Sequence, residues 1–232
     1  LFSVGAGMDM HMHGVKFAEA VVSLVKEGSL SIDRINESCR KILIAKFRLG
    51  LFENRFVDLP SVPDKIFTPE HQKTALETAR KGIVLLKNRD ILPLKKSLNH
   101  KKILVTGPNA NNQTILGDWH AIQPDDNVIT VLEGLESLGI NYGFEIDYFD
   151  SGENIRKISD NAIKNAVLKA KNADIIIAVV GDNSMRYKWK DKTAGENMGR
   201  SSLDLPGKQL DLVKALHQTG KTVITVLVNG RP

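Results

Sequence analysis

Apolar residues along this chain change their spacing after the first quarter, from a helical repeat to an alternation of short strands and helices. Val15 to Glu27 reads as an amphipathic helix that Gly28 ends. Ser31 is an N-cap for a second helix, which carries Ile32, Ile35, Cys39, Ile42, Leu43 and Phe47 on one face until Gly50 closes it. The thiol of Cys39 is therefore expected to be buried. Leu51 to Pro69, rich in proline, aspartate and phenylalanine, reads as an extended linker that packs on something. Pro69 suits the first turn of a helix running to about Arg80, and Gly82 to Lys87 is expected to form a short strand. Strands at Lys102 to Thr106, Glu145 to Phe149, Asp174 to Val180 and Thr222 to Val228 then alternate with helices at Val131 to Leu138, Ile155 to Asn172 and Lys208 to Gln218.

Strands and helices alternating at these lengths predict an α/β fold with a mainly parallel sheet and helices on both faces, a three-layer αβα sandwich. Asp174-Ile-Ile-Ile-Ala-Val-Val180 is apolar and largely β-branched, as expected of a central strand covered on both sides. In a parallel sheet the loops that follow the strands leave from one rim, where ligands collect. Two such loops stand out: GPNANNQTILGDWHA, with Trp119, and GDNSMRYKWKDKTAGENMGR, with Glu196. An aromatic plane and a carboxylate are thus expected to face a common ligand. The leading helical pair is too small to bury a stable core alone. Both ends read as cuts: the chain opens inside a glycine-rich loop without methionine and closes on VITVLVNGRP, a strand and turn with no covering helix.

Composition narrows the function classes. The content is 42% hydrophobic and 25% charged, which is ordinary for a globular chain. No apolar run reaches the ~20 residues of a membrane span, and the start lacks the basic and apolar regions of a signal peptide. The net charge of +5 comes from lysines and arginines scattered among acids, with short clusters at Lys95-Lys96, Lys101-Lys102 and Arg186 to Lys192. A nucleic-acid partner would need a continuous basic stripe with stacking aromatics. Nucleic acid is therefore not expected.

Gly107-Pro108-Asn109 follows a strand, but neither GxGxxG nor GxxxxGK[ST] is present, so no nucleotide cofactor is expected. Asp9-Met10-His11-Met12-His13 offers alternating ligand types too few to complete a metal site, and no metal is expected. Ser201 and Ser202 have no marked basic partner. Glutamate chemistry remains: glycosidic bond hydrolysis uses two carboxyl groups, and sugar rings stack on aromatic faces such as Trp119. Trp189, in the same loop as Glu196, is either a second such face or a packing anchor.

At this point several stretches together resemble glycoside hydrolase family 3, of the β-glucosidase or β-xylosidase kind. They are AGMDM (6–10), KFRLGLFEN (46–54), ARKGIVLLKN (79–88), LPL (92–94), GPNANN (107–112), GDW (117–119), TVLEGL (130–135), RSSLDLPG (200–207) and VLVNGRP (226–232). They cover nearly the whole chain in the family's order. The resemblance implies that residues 1–52 end a truncated β/α barrel, 53–69 form a linker, and 70–232 form the sandwich domain. It implies a barrel aspartate as nucleophile, outside this chain, and an acid/base glutamate on a sandwich loop. Glu196 matches the latter, four residues before Arg200, although Gly199 stands where the family often has aspartate. Lys188, Lys190, Lys192 and Arg200 are the loop cations expected to bear on it if close. Trp119 resembles the tryptophan that flanks the leaving-group sugar, and a structural role is expected for Asp9.

The function so implied is retaining hydrolysis of terminal non-reducing β-D-glucosyl or related β-glycosyl residues, without cofactor. The missing amino-terminal barrel would be the partner domain, a β-linked glucoside or oligosaccharide the substrate, and this fragment alone would be inactive. A periplasmic or secreted location is a family expectation. The alternative is a non-catalytic carbohydrate-binding or interaction domain of the same fold.

Overall fold

The structure, a computed structural model, describes residues 1–94 and 101–230. The cluster Lys95-Lys96 and the terminal Arg231-Pro232 lie outside the described residues. The chain forms two compact units, Leu1–Leu86 and Lys87–Pro232.

The first unit is helical: α1 (Phe2–Gly5), α2 (Phe17–Lys26), α3 (Ile32–Arg48) and α4 (Pro69–Gly82). Ser31 caps α3 by accepting the Asp33 N–H at 3.1 Å, and Thr68 caps α4 by accepting from His71. The buried helix face differs from the one the apolar spacing marks. Cys39 is exposed, whereas its neighbour Ser38 is buried. Arg34 donates to Ser38 Oγ at 2.6 Å, to Asp9 at 2.9 Å and to the Val4 carbonyl at 3.0 Å, and Ser38 is buried within this polar knot. The strand expected at Gly82 to Lys87 does not form. Gly82 still belongs to α4, and Ile83 to Leu86 are exposed and pair with no strand among the described residues.

The second unit contains β1 (Lys102–Thr106), α5 (Val131–Tyr142), β2 (Glu145–Phe149), α6 (Asp160–Ala170), β3 (Ile175–Gly181), α7 (Gln209–His217) and β4 (Thr222–Val228). All four strands are parallel in the order β2-β1-β3-β4. Side chains alternate across the central strands and fill two cores. Leu104, Ile176 and Ala178 pack under α6 and α7 with Ala166, Ala170, Leu212 and Leu216. Ile103, Val105, Ile177 and Val179 meet Leu132 of α5 on the other face. This is the αβα sandwich that the sequence predicts.

The helix expected from Ile155 begins only at Asp160, because Ser159 caps it there by accepting the Ala162 N–H at 3.0 Å. Ile155 and Ile158 stay buried in the preceding loop. Thr130 and Glu133 form a reciprocal capping box at the start of α5.

The end of β3 is fixed by one buried amide. Gln209 accepts the Gly181 N–H at 2.9 Å and donates to the Gly181 carbonyl at 2.8 Å and the Pro206 carbonyl at 3.1 Å. At Gly181, φ is +145°, and a Cβ there would run into the Val228 carbonyl. Replacing Gln209 with leucine leaves both Gly181 backbone groups buried without partners, at a cost of about 2–4 kcal/mol. Chemical denaturation should show that loss for Gln209→Leu and a change within about 0.5 kcal/mol for the exposed Gln218→Leu. Equal midpoints for the two variants would contradict the clamp.

Candidate functional site

β1 leads out to one side, to β2, and the chain then crosses back to place β3 against the other side of β1. Where winding reverses, the loops after β1 and β3 diverge and leave a crevice at the carboxyl ends of the strands. Gly107 starts the first loop at φ +107°, so close to β3 that a Cβ would meet the Val179 backbone. Asn109 then binds β3 through its backbone N–H to the Val179 carbonyl, and the start of the following loop through its side-chain amide to the Asp182 carbonyl at 3.0 Å. These bonds hold the two loops at one place.

The loop after β3 doubles back on itself. Asp182 Oδ1 accepts from Thr193 Oγ1 at 2.8 Å and from Arg200 Nη1 at 2.7 Å. The Asn183 carbonyl accepts the backbone N–H groups of Thr193 and Ala194, and its own N–H donates to Thr193 Oγ1 at 2.9 Å. A pin at 182–183 and 193–194 thus closes off an excursion that includes a short 3₁₀ segment, Arg186–Asp191. Beyond the pin, Gly195 adopts φ +94°, and the chain delivers the Glu196 N–H to Asp118 Oδ2 at 2.6 Å. A Cβ on Gly195 would clash with the Asp118 carboxylate.

Trp119 and Glu196, distant in sequence, thereby share one rim. Arg186 connects them: its Nη1 and Nη2 each lie 3.1 Å from Glu196 Oε2, and its Cζ sits 3.7 Å from the centroid of the Trp119 ring. Planar guanidinium stacking and pairing with a carboxylate are both favoured uses of arginine. Trp119 is 70% exposed and the Glu196 side chain 46% exposed. Trp119 also holds φ +64°, rare for a bulky residue, with its N–H donating to Asp118 Oδ1 at 2.9 Å. Strained backbone of this kind clusters at ligand sites. Trp189 is half-exposed beside Lys192 and Arg186, at 4.8 Å and 5.8 Å from ring centroid to cation.

The charge neighbours differ from those expected from sequence. None of Lys188, Lys190, Lys192 and Arg200 has a hydrogen bond or ion pair with the Glu196 carboxylate among the described contacts. Lys188 pairs with Glu153, Arg200 with Asp182, and Lys192 donates to Asp118 at 3.0 Å and to the Glu196 carbonyl at 3.2 Å. Arg186 is the cation on Glu196. In sequence it is one member of a basic cluster, and nothing in spacing shows which of several loop cations folds onto the acid. In sequence Asp118 is likewise only the middle of GDW. A signal was available in its setting, between Gly117, at φ +77°, and an aromatic residue.

Asp118 is the electrostatic centre of the rim. Burial alone would raise its pKa, but the N–H of Glu196, the Lys192 ammonium and the N–H of Trp119 outweigh this and lower it to about 2. Lys192 is fully buried against it.

Asp9, in the first unit, is also lowered to about 2, by hydrogen bonds from Lys41 and then Arg34. Its lone pairs are thus committed to cations, and among the described residues no cluster of three or more metal-ligating side chains occurs. Two surface hollows, one lined by Asp182, Arg200 and Asn229 and the other by Phe149, Asn165 and Asn172, include neither Glu196 nor Trp119. The candidate site is an open rim.

Comparison with known proteins places these features in context. Residues 83–232 match the family model described as the glycosyl hydrolase family 3 C-terminal domain. The chain is 35% identical, over its full length, to a β-xylosidase of Formosa agariphila, of which it covers 32%. It is 33% identical over 98% of its length to the periplasmic β-glucosidase of Salmonella typhimurium, again covering 32% of that protein. A solved β-glucosidase involved in saponin metabolism from intestinal bacteria aligns with 99% of this chain and 34% of its own, at 32% identity and a TM-score of 0.83. A β-glucosidase of Listeria innocua in complex with glucose aligns with all of this chain and 30% of its own, at 29% identity and a TM-score of 0.81. The chain spans about a third of the length of the relatives it matches.

Because Asp118 has a depressed pKa when folded, its contribution to holding the rim is complete above the ordinary carboxylate range and is lost as pH falls towards about 2. The chain's only two tryptophans, Trp119 and Trp189, report on this rim. Their emission in an acid titration is expected to change with a midpoint near the pKa of about 2, and that step should vanish in Asp118→Asn. A step centred near 3.8, the ordinary aspartate value, would contradict the assignment.

Proposed function

The chain belongs to glycosyl hydrolase family 3, and from that premise we propose that it carries the acid/base half of a retaining β-glycosidase. The substrate class is terminal non-reducing β-D-glucosyl or a related β-glycosyl residue, with Glu196 as acid/base and Trp119 flanking the leaving-group sugar. One observation carries this reading: the loops after β1 and β3 bring a solvent-accessible carboxylate and an exposed indole into one connected cluster at the sheet's winding reversal. Relatives named β-glucosidase and β-xylosidase support the substrate class.

In this reading the nucleophile is a barrel carboxylate outside these residues, consistent with the third of each relative that the chain spans. That carboxylate attacks the anomeric carbon while the bond to the leaving oxygen breaks, and Glu196 gives its proton to that oxygen. A water molecule then attacks the anomeric carbon of the glycosyl-enzyme, Glu196 takes its proton, and the barrel carboxylate departs. Both Arg186 bonds fall on Oε2, so Oε1 is the oxygen outside this contact and the one available to the substrate. The Trp119 face under Arg186 has to be vacated for a sugar to stack on it. An open rim with half of the carboxyl pair does not turn over substrate by itself. A periplasmic or secreted location is supported by the relative named periplasmic, and no helix of the described residues is long and apolar enough to cross a membrane.

The test uses the full-length protein. Glu196→Gln is expected to lower turnover of unactivated substrates such as cellobiose by about 10³-fold, while the first step on an activated aryl β-glucoside stays within about tenfold, because only a poor leaving group needs the proton. Equal, small losses on both substrates would remove Glu196 from the role.

A further inference from the structure

We propose that Asp118 is the positioning residue of this site, fixing with one carboxylate both the backbone that presents Glu196 and the backbone that presents Trp119. The inference rests on the acid/base reading of Glu196. Oδ2 accepts the N–H of Glu196 at 2.6 Å and the ammonium of Lys192 at 3.0 Å; Oδ1 accepts the N–H of Trp119 at 2.9 Å, with Arg186 Nη1 at 3.5 Å. Two of these donors are the main-chain groups of the two site residues themselves. A third, Arg186, stacks on one and pairs with the other. Lys192 also donates to the Glu196 carbonyl at 3.2 Å, so both backbone polar groups of Glu196 are held by the Asp118–Lys192 pair.

This device is separate from the one that folds the loop. The pin from Asp182 and Asn183 to Thr193, Ala194 and Arg200 uses none of these atoms, and the Gln209 clamp secures the strand end behind it. Loss of Asp118 therefore leaves the loop attached to the sheet but frees the last step, from Gly195 to Glu196. Gly195 is the residue at which this freedom appears, since its φ of +94° is held against Asp118. Misplacing an acid by about 1 Å costs on the order of 10²-fold in a step that depends on its aim.

The consequence has a signature that simple destabilisation lacks. In the full-length protein, Asp118→Ala is expected to lower kcat on cellobiose by about 30- to 100-fold, while kcat for the first step on an activated aryl β-glucoside falls less than about threefold. Asp118→Ala leaves the buried Lys192 unpaired, so the double variant Asp118→Ala/Lys192→Met, which removes both charges, is measured alongside it. The same split in the double variant, with a denaturation midpoint near that of the parent, supports positioning. Proportionate losses on both substrates in the Asp118 variants, beside a clear split in Glu196→Gln, overturn the role of Asp118 alone. No split in Glu196→Gln overturns the acid/base reading and this inference with it.

Discussion

β1 and β3 are buried on both faces and lie side by side in parallel, each satisfying one edge of its backbone on the other and the opposite edge on β2 or β4. Parallel neighbours send their following loops out of the same end, and the reversal of winding between these two strands separates the loops enough to leave a crevice. The site depends on that pairing. Gly107 at the close approach to Val179, Asn109 bonded across to β3, and Gln209 holding Gly181 all secure the strand ends from which the loops depart. Only with the ends fixed does a long charged loop acquire a definite geometry.

The loop is built in two stages with different physics. Its base is held by buried, hydrogen-bonded groups, Asp182 to Thr193 and Arg200, in which every charge has a partner. Its tip is held by a different carboxylate, Asp118, from the other loop, with Lys192 buried beneath it. A buried ion pair is weak evidence for stability, since desolvation offsets much of its attraction, but it is a good device for fixing one geometry among several. Here that geometry aims a glutamate. Arg186 lies between the Trp119 indole and the Glu196 carboxylate and contacts both.

The membership in glycosyl hydrolase family 3 and the open form of the rim fit together. A closed pocket would be expected of a self-sufficient site, whereas Glu196 and Trp119 stand at an exposed edge. Under the proposed reading such a rim would supply the acid and a partner domain the nucleophile.

Much of this was legible in the order of residues. The buried run before Gly181, the alternation of strands and helices, and the two loops at one rim follow from periodicity and from the rule that parallel strands share a direction, and the motif series pointed to the family. Three of the corrected expectations share one cause. Cys39 lies on the apolar stripe of α3 yet is exposed, while its neighbour Ser38 is buried in hydrogen bonds to Arg34 and Asp9. Gly82 to Lys87 has the composition of a strand but pairs with none among the described residues. Arg186, and not the cations nearer in sequence, lies on Glu196. In each, the outcome depends on which distant group arrives at a given place. Local sequence sets backbone preferences and the burial period, and these determine elements and topology. Contacts of Asp118 with Glu196 and Lys192 join positions far apart along the chain, with the strength set by burial and angle, so only the tertiary structure decides them.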